Sequence, residues 1–278
     1  MSAFVFGIVL FAALLHAVWN AIVKSADNTV LTTALVTAFA ALIAAAVLPF
    51  CVQPARESWH FIMISVCLQV IYFTLIGYIY RFSEMSLTYP LMRGTAPLLA
   101  ALLGIVTLNE TLTLQTWIGV FFICGGILSM VLEQWKFSSK VIGLAFLNAS
   151  VIAGYTLVDG MGVRLSDAPV AYTLWIMLLK GVVLAGWRFI LDPAVFIGYT
   201  RRYWHFGLIG GTGMMTSYGV ALWAMTFSPV VMVAALRETS VLFALMISAL
   251  FLKEKIGTIK LVSSCLIVAG VIMLRLAS

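Results

Sequence analysis

The sequence is short of charge. Of its 278 residues only 9% are Asp, Glu, Lys or Arg, and the whole chain holds ten acids and three histidines. Soluble domains carry about 25% charged residues and about 45–50% apolar ones. Here 63% are hydrophobic and the mean hydropathy is +1.13. A water-soluble fold of this length cannot hide so much apolar surface. Soluble enzymes, nucleic-acid binders and secreted disulfide scaffolds are excluded, and the chain reads as an all-α integral membrane protein. Cysteine is scarce too: Cys51, Cys67, Cys124 and Cys265 form no CxxC and no Cys/His spacing suited to a metal. They read as small buried hydrophobes. No HExxH, GxSxG or aspartate cluster is present, so the sequence offers neither a catalytic centre nor a cofactor or metal site. The N-terminus lacks a basic n-region and reads as a retained first helix. The formal charge of +6 suits anionic lipid headgroups.

Long apolar runs fill the rest. A bilayer core of about 30 Å needs about 20 apolar residues per helix. That window predicts ten spans, at 3–23, 29–51, 59–81, 86–108, 113–132, 141–160, 169–191, 204–226, 229–252 and 256–276. Turn and polar chemistry separates them: SADN at 25–28, QPARES at 53–58, the Glu133/Lys136/Lys140 stretch, LSDAP at 165–169 and RRYWH at 201–205.

The second half repeats the first. Leu91-Met92-Arg93-Gly94-Thr95 aligns with Ala235-Leu236-Arg237-Glu238-Thr239. The same ungapped shift sets Leu108-Asn109-Glu110 over Leu252-Lys253-Glu254 and Gly126 over Gly270. Two five-helix units, 1–135 and 136–278, are therefore expected. A unit with an odd number of spans re-enters the membrane in the opposite sense, so the two copies are expected to be inverted repeats. Inverted repeats are the architecture of alternating-access carriers, with the substrate near the midplane.

The chain resembles the drug/metabolite transporter superfamily, and within it the ten-helix EamA-like family. The likeness rests on His16-Ala17-Val18-Trp19-Asn20 with Lys24, on Ala235-Leu236-Arg237-Glu238-Thr239-Ser240, and on the LNE and LKE helix ends. It implies a multi-pass carrier of small metabolites in the cell (inner) membrane, surrounded by membrane lipids. It says little about the substrate. It suggests cytoplasmic termini, whereas the loop Lys and Arg count points the other way.

An ionisable group in a span costs at least about 2.5–3.5 kcal/mol at its centre and needs a reason. On the first helix His16, Asn20 and Lys24 share a face with Trp19 adjoining. They fit a polar seam or a cavity wall, with Lys24 snorkelling to the interface. Arg93 and Arg237 are expected on opposite sides of the midplane facing one cavity, an arrangement suited to a carboxylate or phosphoryl group. The competing role is helix tying, with Glu238 the local candidate partner. Lys180 stands at mid-span, and Asp159 is expected to lie too far away in depth to pair with it. The three cations exceed the two acids, and an anionic substrate would balance them. Tyr72, Tyr78, Tyr155, Tyr218 and Trp223 are candidate walls for its organic body. The same aromatics suit a cage for an organic cation or quaternary amine, the main alternative; a lipid flippase subunit is the second. Proton coupling through Glu238 or His16 and unassisted exchange are equally compatible with the sequence, as are a monomer and a homodimer. Gly207/Gly211, Gly125/Gly126 and Gly210/Gly213 are expected to permit close helix approach. Pro97 is expected to kink the fourth helix beside Arg93.

Overall fold

The computed structural model describes residues 1–83, 85–108, 110–131, 138–251 and 257–277. Among these the chain is helical, with short turns and no strand. The helices are α1 (Ala3–Ser25), α2 (Thr29–Val47), α3 (Trp59–Ile79), α4 (Met85–Thr107), α5 (Leu114–Ser129), α6 (Ser139–Leu165), α7 (Pro169–Leu191), α8 (Pro193–Met225), α9 (Val230–Arg237), α10 (Ser240–Phe251) and α11 (Thr258–Leu276). Among the described residues, eight helical stretches are long and apolar enough to cross a bilayer, α9 and α10 together supplying one of them, and α5 is a shorter apolar helix. Asn109, Glu133, Lys136 and Leu252-Lys253-Glu254, named above for the repeat and the loops, lie outside the described residues.

The distribution of side chains is that of a protein dissolved in lipid. Val106, Trp187, Ile190 and Leu250 face outward, while Arg93, Lys180, Arg237, Glu238, Asp159 and Gln69 are buried. A bilayer solvates the apolar outside, so the polar groups must find partners inside. The cysteines follow the same logic and correct an expectation: only Cys124 is buried, whereas Cys67 and Cys265 face outward.

Helices of the two halves pack on one another in matched pairs. α1 packs on α8 as α3 packs on α6, and α2 packs on α7 and α5 on α11. Backbones meet closely at several of these seams. A Cβ added at Gly211 would stand 2.9 Å from the Val36 carbonyl and the Ala40 nitrogen of α2. One at Gly126 would stand 2.8 Å from Ser263 O on α11, and one at Gly270 2.7 Å from Gly119 O on α5. Only hydrogen fits there, the usual use of glycine between membrane helices. Gly125 has nothing within 4 Å and packs against no helix.

Three boundaries depart from the hydropathy reading. α6 runs on to Leu165 because its charged end is partnered: Arg164 donates to the carbonyls of Met225 and Ser228 and pairs with Glu110 at 2.8 Å. The RRYWH segment is helical, part of α8, which is interrupted only at Tyr203 (φ −118°, ψ 20°). The span at 229–252 breaks into α9 and α10, and the break falls at Glu238–Thr239. There the ladder tightens to i→i−3 bonds: Glu238 N to Ala235 O, Thr239 N to Leu236 O and Val241 N to Glu238 O. A short 3₁₀ stretch within a helix often marks a functional hinge. α4, in contrast, runs unbroken through Pro90 and Pro97.

Candidate functional site

The buried polar groups converge between the two halves. A cavity of ≈ 40 Å³ is lined by His16 and Trp19 of α1, Gln69, Tyr72 and Phe73 of α3, Arg93 of α4, Tyr155 of α6, Met177 and Lys180 of α7, Met214, Ser217 and Tyr218 of α8, and Arg237 at the end of α9. A narrower one of ≈ 10 Å³ adjoins it along Ala96, Pro97 and Ala100 of α4, Thr156 of α6 and Glu238, sharing Arg93, Tyr155 and Arg237. Together they have room for roughly three waters.

Arg93 and Glu238 form a buried ion pair, Nε to Oε2 2.7 Å, that joins α4 of the first half to the α9–α10 break in the second. Glu238 thus pairs across the halves and not with its neighbour Arg237, since adjacent helical residues point about 100° apart. The Arg237 guanidinium lies 5.3 Å from the centre of the Tyr218 ring, and no carboxylate pairs with it among the described residues. Among the described residues, Trp19 Nε1 and Arg93 Nη2 are buried without a hydrogen-bond partner.

A second network holds Lys180. Its Nζ donates to Gln69 Oε1 at 2.9 Å. Gln69 Nε2 donates to Ser65 Oγ and to the Tyr218 hydroxyl, both at 2.9 Å. Tyr218 in turn donates to Asp159 Oδ2, and Tyr172 donates to Oδ1 at 3.2 Å. Asp159 is therefore joined to Lys180 through two intermediaries, contrary to the depth argument from sequence. α6 and α7 meet at the turn 166–168, so depth for both counts from the same end. Asp159 stands about six residues before that turn and Lys180 about eleven after it, roughly 7 Å apart along the axes. Ending the sixth span at 160 places Asp159 at its rim, which is the source of the error.

The remaining sequence candidates divide. His16, Trp19, Tyr72, Tyr155 and Tyr218 line the cavity with Arg93, Lys180 and Arg237, and Glu238 lines its narrow extension. Asn20 does not: its amide donates to the His16 carbonyl at 2.8 Å on its own helix. Tyr78 is half-exposed beside Phe82, with the Lys140 ammonium 5.7 Å from its ring, and Trp223 packs on Phe227. Lys24 is exposed, as snorkelling requires. Sequence reasoning missed Gln69, Ser65 and Tyr172. A glutamine at the middle of an apolar span is the available signal for the first.

The fold and this buried polar core define a multi-pass helical membrane protein with a polar centre. The EamA-like transporter family model matches residues 139–276, the second half of the chain. The chain belongs to that family, and with it to the drug/metabolite transporter type. A comparison with curated proteins gives no match. Among solved structures, one described only as the crystal structure of a protein is similar with a TM-score of 0.76 at 15% identity, over 99% of this chain and 96% of that one. At that identity the likeness speaks for the fold alone.

Proposed function

We propose that the protein is a secondary carrier of a small organic anion, one bearing a carboxylate or phosphoryl group such as an amino acid or related metabolite. In this reading ten helices form two inverted five-helix repeats, and the substrate binds at the midplane between them by alternating access. The matched packing of α1 on α8 with α3 on α6, and of α2 on α7 and α5 on α11, supports the two-fold relation. The bilayer is the cell (inner) membrane.

The observation that carries the substrate class is the charge inventory of the core. Among the described residues, Arg93, Lys180 and Arg237 are buried with only Glu238 and Asp159 to balance them. On that inventory one positive charge is left over, and Arg237 is the guanidinium without a carboxylate. An unbalanced ion in the membrane interior is costly, and an anion is its natural complement. The unpaired Trp19 N–H and Arg93 Nη2 are likewise donors awaiting an acceptor. A cage for an organic cation has less support. The face of Tyr218 already carries both Lys180, at 5.5 Å, and Arg237, and Phe73 carries Lys180 at 5.8 Å. A cationic guest would meet three protein cations.

The test is a thermal-shift screen of the purified protein against amino acids, carboxylates, phosphorylated sugars and quaternary amines, followed by flux in proteoliposomes. A ligand at 100 times its Kd adds about 2.7 kcal/mol and raises the melting temperature visibly. Stabilisation by anions supports the reading. Stabilisation confined to quaternary amines overturns it.

A further inference from the structure

We propose that Asp159, which does not line the cavity, is the positioning residue that holds Lys180 charged and aimed at the anion, acting through Tyr218 and Gln69. The inference rests on the anion-carrier reading above and deepens it.

The directions of the hydrogen bonds are locked from both ends. An ammonium only donates, so Gln69 must present Oε1 to Lys180. Its Nε2 must then donate to Ser65 and Tyr218. With its oxygen taken as an acceptor, the Tyr218 hydroxyl points onward, and an ionised carboxylate is the group that accepts it without donating back. Asp159 receives it, together with the hydroxyl of Tyr172. A cation at one end and an anion at the other thus orient every dipole between them, and such chains strengthen cooperatively in a dry interior. The charged and titratable groups that line the cavity with Lys180 are His16 of α1, Tyr72 of α3, Arg93 of α4, Tyr155 of α6, Tyr218 of α8 and Arg237 at the α9 end, with Asp159 and Tyr172 behind Tyr218 and Glu238 in the adjoining extension. Glu238 is already engaged by Arg93, which leaves Asp159 to balance Lys180.

Asp159→Asn removes that charge and adds an NH₂ donor. Tyr218 can then accept from the new amide and turn its proton towards Gln69. The Gln69 amide flips in response, and Lys180 loses both its acceptor and its counter-charge. A role confined to packing would not single out Lys180.

The experiment is a double-mutant cycle on the intact carrier, with benzoate and phenyl phosphate as the probes and both affinity and melting temperature as readouts. In the wild-type background D159N is expected to weaken probe affinity about tenfold, and in a K180M background less than twofold, because the two residues act as one. The melting temperature should fall in each single variant and recover in the double one, a readout that needs no ligand. Y218F, which preserves shape and charge, is expected to lose affinity for the same probes and to keep most of its stability. Equal losses of affinity from D159N in both backgrounds, or additive losses of stability, overturn the inference while leaving the anion site standing. A wild-type protein that binds neither probe but is stabilised by quaternary amines removes the anion reading, and the inference falls with it.

Discussion

Neutralising Glu238 tests the charge inventory most directly. Glu238→Gln keeps the size and one acceptor of the side chain, yet it leaves Arg93 without its counter-ion at 4% exposure. The core then holds three cations against Asp159 alone, an excess of two charges in place of one. Breaking a buried pair from one side costs about 3–5 kcal/mol, most of it the penalty of stranding the partner. For a chain of this size that is a fall in melting temperature on the order of 10 °C. The double variant Arg93→Met, Glu238→Leu removes both charges and should recover most of the loss, since replacing a buried pair by apolar groups is often neutral. Anions supply a second check. A bound anion restores part of the missing negative charge, so a saturating anionic ligand should stabilise Glu238→Gln by more degrees than the wild type. The assay is a melting curve for each variant with and without ligand, in one detergent and at one pH. A Glu238→Gln protein that melts within about 2 °C of the wild type, well short of the shift expected from a stranded charge, would refute the reasoning, because Arg93 would then have another source of balance.

Two further outcomes follow from the same geometry. Arg237→Met is expected to leave the melting temperature unchanged or raised, since it deletes the surplus charge, while lowering anion affinity by about 10–100-fold, the worth of one charged hydrogen bond; Arg237→Lys should be intermediate because an ammonium cannot reproduce the planar fork. Unfolding with unchanged affinity would mean that Arg237 is structural. Gly181→Ala should destabilise by about 1–3 kcal/mol, the usual cost of overpacking, because its Cβ would collide with the Thr37 carbonyl oxygen and stand 2.6 Å from Ala41 Cβ; Gly125→Ala, with nothing within 4 Å, should be neutral, and comparing the two melting curves separates close helix approach from a general effect of glycine.

Much of this organisation is legible in the sequence, because a bilayer makes two features expensive. Uninterrupted apolar length marks the spans, and a charge within such a run marks a site, which is how Arg93, Lys180, Arg237 and Glu238 stand out. Uncharged polar groups carry a weaker signal. Gln69 passes unnoticed although it joins Lys180 to Tyr218 and so to Asp159. Pairing across helices is not legible at all: Glu238 sits beside Arg237 in the chain yet bonds Arg93, which is 145 positions away. Helix phase is also poorly encoded when both faces are apolar. Lipid and core then ask for the same residues, so the outward-facing Tyr78 and the peripheral Trp223 resemble the cavity-lining Tyr72 and Tyr218. Asp159 is misplaced for another reason: a charged helix end reads as a boundary, whereas Arg164 stabilises it through Glu110 and two carbonyls.

The central cavity of ≈ 40 Å³ is far below the roughly 300–1,000 Å³ of pockets that enclose drug-sized molecules, so a substrate enters only if some seam between the halves opens. The seams differ in kind. α5 and α11 meet through backbone at Gly119, Gly126 and Gly270, reinforced by the Ser129–Ser263 hydroxyl pair at 2.7 Å. Parting them would forfeit close-packed contacts that small relaxations cannot replace. α2 likewise meets α7 and α8 through backbone at Gly181 and Gly211, whereas α4, α6 and α9, and α3 with α7, are joined by side chains: Arg93 to Glu238, Glu110 to Arg164 and Lys180 to Gln69. Side-chain bonds of this sort exchange for water or substrate at modest net cost. Opening is therefore expected around α4, α6 and α9, with the α5–α11 seam as a fixed point. In a protein stripped of its native cysteines, a Ser129→Cys, Ser263→Cys disulfide should leave flux in proteoliposomes within about twofold of the reduced protein, well under the tenfold that about 1.4 kcal/mol represents. A Glu110→Cys, Arg164→Cys pair, spanned by a bifunctional thiol reagent as long as the two lost side chains, should abolish flux until the link is cut. Arrest by the Ser129–Ser263 link, or free flux with the Glu110–Arg164 link in place, would reverse the assignment of fixed and moving seams.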